Sequence, residues 1–171
     1  MLRTKIATLG VRTFMPGKLG PGFHLRRFNP SFEAVGIVLD YVSRVPPFAK
    51  YPAGTLIAAV KYQILNGCHV AGFKEKKLVG YCGWLQITKA DGENWIQGKG
   101  ELKPVNAREA DAVAVHIVRI DERSVVLPLI RACRNLEAKK RVFFQRDYTA
   151  GGQAIKRRSV MNVKSRNAEP G

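Results

Sequence analysis

Hydrophobic positions in this chain change their spacing partway along, and the change predicts its elements. In "NPSFEAVGIVLDYVSRVPP", Phe32, Val35, Leu39 and Val42 recur at intervals of one helical turn. Asn29 can cap this helix, Pro30 suits its first position, and Pro46-Pro47 ends it. Leu56, Ala59, Val60 and Ile64 repeat the pattern and predict a second helix over Ala53–Asn66, stopped by Gly67. The period then shortens to that of strands. "HVAGFKE" and "LVGYCGWLQIT" read as two strands joined by a charged turn at Lys74–Lys77. Residues 89–110 are polar and contain glycine, a long excursion with one embedded strand around Trp95.

"DAVAVHIVRI" is a strand, and "ERSVVLPLIRACRNLE" a helix with a stripe of Val126, Ile130, Cys133 and Leu136. Ser124 is placed to cap that helix, and Pro128 falls in its first turn. "KRVFFQRDY" is a further strand. Together these predict an α/β or α+β fold: one sheet, with helices at 30–45 and 124–137 packed on it and a helix crossing between two strands. The expected organisation is an irregular arm over 1–28 with a short strand at "KIATLGV", a domain over 29–150, and a basic tail over 151–171. "AIKRRSVMNV" in the tail predicts an edge strand.

Charge changes the picture more than composition does. The 171 residues carry 29 Lys and Arg against 13 Asp and Glu, a net charge of +16. Residues 1–32 hold six basic side chains and no acid, and residues 139–166 hold nine with one acid, whereas residues 33–138 are nearly balanced. Basic ends attract a polyanion: nucleic acid, an anionic membrane or a very acidic protein. No apolar run is long enough to span a membrane and no secretory signal is evident, so a cytoplasmic protein is expected. Cys68, Cys82 and Cys133 lack paired or CxxC spacing, and the three histidines lack metal-ligand spacing.

Two features could carry chemistry. His116 lies in a strand that runs into a helix start, where an imidazole can serve as a general base. At that start, backbone N–H groups around Ser124 and Val125, with Arg119 and Arg123 beside them, form a potential anion site, although Asp121 and Glu122 oppose one. The glycines of "GYCGW" mark a bulge or a close approach of another group to the backbone.

The stretch "PPFAKYPAGTLIAAVKYQILNGCHVAGFKEKKLVGYCGWLQI" resembles the toxin-activating lysine acyltransferases, which acylate RTX protoxins from acyl carrier protein. Its matching features are Pro46, Tyr51-Pro52, the charged turn Lys74–Lys77 and Tyr81-Cys82-Gly83-Trp84, within a similarity covering roughly residues 30–147. The resemblance implies a GNAT-like fold with a mixed, mainly antiparallel sheet. It also implies a groove lined by Tyr81, Cys82 and Trp84, an acyl carrier protein partner whose phosphopantetheine thioester donates the acyl group, and an RTX-type protoxin as acceptor. The departures are specific. The family's catalytic histidine falls on Phe48, or on Ala49 if shifted by one, and its aspartate falls near His116. Either His116 works with another partner such as His24, or the chain is a binding module without catalysis that recruits nucleic acid or an acidic protein.

Overall fold

The computed structural model describes residues 21–150 and 153–162; the strand expected at "KIATLGV" lies outside them. Six strands form one sheet in chain order: β1 (Phe23–Arg26), β2 (His69–Lys74), β3 (Lys77–Ile87), β4 (Ala112–Ile120), β5 (Arg141–Ala150) and β6 (Gln153–Met161). Neighbours are antiparallel except β4 and β5, which run parallel. Parallel neighbours need a crossover, and helix α4 (Val126–Leu136) supplies it. The single mixed, mainly antiparallel sheet is therefore present, with β6 at the predicted edge.

Successive residues of a strand face opposite sides of a sheet, and the core divides accordingly. Tyr81 and Ile117 pack with Val38, Val42, Val60 and Ile64 of α1 (Phe32–Ser43) and α2 (Ala53–Leu65). Cys82, Val113 and Val115 pack with Leu129, Ala132 and Cys133 of α4. Thus α1 and α2 cover one face and α4 the other. The apolar stripes set this arrangement, since each helix must bury its hydrophobic side against the sheet.

The structure corrects several expectations at element ends. Ser31, not Asn29, caps α1: its hydroxyl oxygen accepts from the Ala34 N–H at 3.1 Å. The arm is not irregular throughout, because Phe23–Arg26 pair with Lys74–Ala71 as β1. The excursion after β3 begins as a helix, α3 (Lys89–Ile96), not a strand around Trp95. Thr88 caps it by accepting from the Asp91 N–H at 3.1 Å, and Trp95 and Ile96 lean on a cluster with Leu85 and Phe143. Ser124 makes no cap bond; α4 begins at Val126 after a 3-10 turn over Arg123–Val125.

The glycines of "GYCGW" admit the chain's own side chains. A Cβ on Gly80 would stand 2.8 Å from Leu129 Cδ1, and one on Gly72 opposite it 2.6 Å from Val125 Cγ1. On the other face, a Cβ on Gly83 would overlap the Gln63 carboxamide, whose Oε1 accepts from the Tyr81 hydroxyl at 3.0 Å. Tyr81, Cys82 and Trp84 are 0%, 3% and 1% exposed. They belong to the core and line no groove, because α2 and α4 cover this strand from both sides.

Gly83→Ala must displace a fully buried glutamine and break its bond to Tyr81. We expect a loss of about 1–3 kcal/mol in urea unfolding. Gln63→Ala in the same chain should restore part of it. Additive losses would show that the glycine serves another purpose.

Candidate functional site at the parting of two strands

Between Trp84↔Val115 and Gly83↔Ile117 the β3–β4 ladder advances one residue on β3 and two on β4. His116 is the extra residue of a β-bulge. On the other side of β4, pairing with β5 runs from Ala112↔Arg141 to Val115↔Phe144 and stops. β4 continues to Ile120, and β5 continues to Ala150 paired only with β6. The parallel strands therefore part just after Val115, leaving the edge of β4 from Ile117 to Ile120 without a strand partner among the described residues. Bulges bend and re-aim a strand, and this one sits where the strands separate.

His116 is partly exposed, yet its Nδ1 is buried and has no hydrogen-bond partner. Burial lowers its pKa below the usual imidazole range, which keeps the ring neutral at neutral pH. Val115 packs beneath α4 and Ile117 against α1 and α2, so His116 stands where the alternation of faces resets. His24 is no partner for it. That residue lies on β1, stacked on Phe73 at 5.3 Å, and β2 and β3 intervene. Three strand spacings separate the two histidines by about 14 Å.

The expected anion site is only partly assembled. Arg119 is committed elsewhere: its guanidinium lies 4.1 Å over the Tyr41 ring, donates to the Tyr41 carbonyl, and pairs with Asp121 at 3.1 Å. The Val125 N–H donates to the Glu122 carbonyl at 3.0 Å, and its side chain is fully buried. Arg123 and Ser124 remain exposed at the turn before α4. Phe48, where the resemblance places a histidine, is a core residue at 6% exposure, edge-on to Tyr51 at 5.6 Å; Ala49 beside it is exposed. No group of three or more His, Cys, Asp or Glu among the described residues could hold a metal ion, and no helix among them is long and apolar enough to cross a membrane.

His69, unlike His116, is fully satisfied. Its Nδ1 donates to the Gln63 carbonyl at 3.0 Å, and its Nε2 accepts from the Phe28 N–H at 2.9 Å. This ring ties the end of α2 to the chain leaving β1. Tyr41 is the other buried group that residue spacing did not single out. Burial first, and Asp121 second, hold its phenol above the usual range, and its hydroxyl has no hydrogen-bond partner.

No protein-family profile matches the chain, and no curated protein matches it. Solved structures do show similarity. A provisionally assigned acetyltransferase from Pyrococcus horikoshii aligns at TM-score 0.49 and 9% identity, over 82% of this chain and 43% of that one. A GNAT-family acetyltransferase from Streptococcus agalactiae aligns at 0.44 and 11%, over 73% and 76%. An N-acetyltransferase from Staphylococcus aureus aligns at 0.38 and 14%, over 72% and 81%. The chain spans less than half the length of the Pyrococcus protein. At these scores the fold description rests on the chain's own strand order.

Desolvation pushes the His69 pKa down to about 4, against about 6.5 in an unfolded chain. Above pH 6.5 both states are neutral and the contribution is intact. As pH falls from 6.5 toward 4 the unfolded state takes up the proton first, so stability drops by about 3 kcal/mol. Urea midpoints of wild type and His69→Leu across this window check it: the wild type should lose more than the variant. Parallel pH dependences would assign the loss to other groups.

Proposed function

We propose that this chain is an acyltransferase of GNAT-like architecture, moving an acyl group from a phosphopantetheine thioester to an amine. In its finer form the donor is an acyl carrier protein and the acceptor a lysine of a protein such as an RTX-type protoxin. The observation that carries this reading is the parting of β4 from β5 at His116. It leaves the outer half of β4 with an unpaired edge, against which an extended amide-bearing arm can lie as a strand would. At the head of that edge stands a neutral imidazole with an unpaired buried nitrogen. Unpartnered buried polar atoms are uncommon and are often tolerated at functional sites.

The chemistry then needs one proton relay. The acceptor amine attacks the thioester carbonyl while His116 takes the proton it sheds. The C–S bond breaks, and the leaving thiolate recovers a proton from the imidazolium. A base that stays neutral in a partly buried site suits the first step. Arg123 and Ser124, exposed before α4, lie beyond the end of β4 toward which the strands open and are available to the arm's phosphate. The net charge of +16 favours an acidic donor protein. The second reading, a basic binding module without catalysis, is favoured by Phe48 in place of the family's histidine and by the engagement of Arg119.

His116→Ala should lower the rate of acyl transfer from an acylated carrier protein to a lysine peptide by about 10²–10⁴-fold. Its urea midpoint should change little, since removing an unpaired buried nitrogen breaks no hydrogen bond. The acid limb of the wild-type pH–rate profile should fall below the ordinary imidazole range, as the burial of His116 dictates. A variant of unchanged rate but reduced stability would make His116 structural. Wild-type protein that transfers nothing, yet binds duplex DNA tightly and loses that binding with salt, would establish the binding module.

A further inference from the structure

The outward side of α4 carries a charge stripe that the fold itself does not use. Leu127, Arg131 and Arg134 recur at four and three residues and are all exposed, with Arg123 before the helix and Lys139 after it. The carboxylates nearby are engaged elsewhere. Glu122 pairs with Lys74 at 3.0 Å, and Glu137 turns inward to accept from Trp84 Nε1 at 2.9 Å and Gln86 Nε2 at 3.1 Å. Among the described residues no carboxylate pairs with Arg123, Arg131, Arg134 or Lys139; Arg134 donates only to the Asn162 amide oxygen. In the middle of these cations Leu127 is 60% exposed.

We infer that the outward face of α4 is the landing surface for an acidic protein, with Arg131, Arg134 and Lys139 meeting its carboxylates around an apolar contact at Leu127. The cations alone would suit phosphates as well as carboxylates. Leu127 selects a protein, because a phosphate backbone offers an isobutyl group nothing to pack on, whereas interface centres are apolar and rims charged. This inference rests on the acyltransferase reading in one respect: the acidic protein is identified with the thioester carrier. The identification follows from geometry, since α4 begins beyond the end of β4 toward which β4 and β5 open.

The test titrates holo acyl carrier protein into the full chain at low and moderate salt. Arg131→Glu combined with Leu127→Ser should raise Kd about tenfold or more, the effect of reversing one charge contact and losing one apolar one. Lys61→Glu, an equal charge change on α2 across the sheet, should stay within about twofold. Transfer from a short pantetheine thioester with no protein attached should survive the α4 changes and be lost in His116→Ala. If the α4 variant binds the carrier as the wild type does, the inference is overturned, and active transfer would still leave the acyltransferase reading standing. If the wild type docks the carrier through α4 but transfers nothing, the reverse holds. Binding of duplex DNA that falls with Arg131→Glu and ignores Leu127→Ser, with no carrier binding, would overturn the landing surface as a protein site.

Discussion

One surplus residue on β4 organises the end of the sheet that holds the candidate site. The ladder to β3 absorbs His116 as a bulge, and the ladder to β5 ends at the residue before it. A strand in a sheet interior normally has both edges paired, so the outer half of β4 must be held by other contacts. Arg119 supplies one of them. It reaches from β4 to the ring and carbonyl of Tyr41 on α1, and Asp121 fixes its other side. An arginine positioned to meet a phosphate in the linear sequence is, in the fold, the brace that keeps an unpaired strand edge in place.

The same economy explains the glycines. β2 and β3 are covered on both faces, and three glycines lower the sheet surface where covering side chains come closest. Val125 enters over Gly72 and Gly80 from the α4 side, and Gln63 enters over Gly83 from the α2 side. Gln63 then links Tyr81 through its carboxamide and His69 through its backbone carbonyl. These bonds offset part of the cost of burying Tyr81, His69 and Gln63, although Gln63 Nε2 has no partner among the described residues.

Much of the fold was legible because long periodic segments declare themselves. The stripes of α1, α2 and α4 and the apolar, β-favouring runs of β2, β3 and β4 lead directly to a mixed sheet with one crossover. The misreadings have local causes. α3 has the polar, Gly-containing composition of a loop, and its available signal was the Thr88-to-Asp91 capping spacing. β1 is four residues long and owes its existence to the β2 edge, which no local pattern reveals. The site was legible only as a residue, His116, and not as a place. Nothing in "AVHIVRI" marks the bulge, and the distance from His24 depends on a strand order that the sequence leaves open.

Charge and topology bear on the candidate site together. Three of the described acids tie elements together: Glu122 joins the turn before α4 to β2, Glu93 joins α3 to β5, and Glu137 joins the end of α4 to β3. The cations left over on α4 lie on the face opposite α1 and α2, and His116 sits on the bulge between Val115 of the α4 face and Ile117 of the α1–α2 face. On the acyltransferase reading, a donor held by α4 lays its arm along the open edge of β4, at the head of which His116 stands. On that reading the base stands on the bulge, at His116, rather than in the turn before α2, where Phe48 is buried.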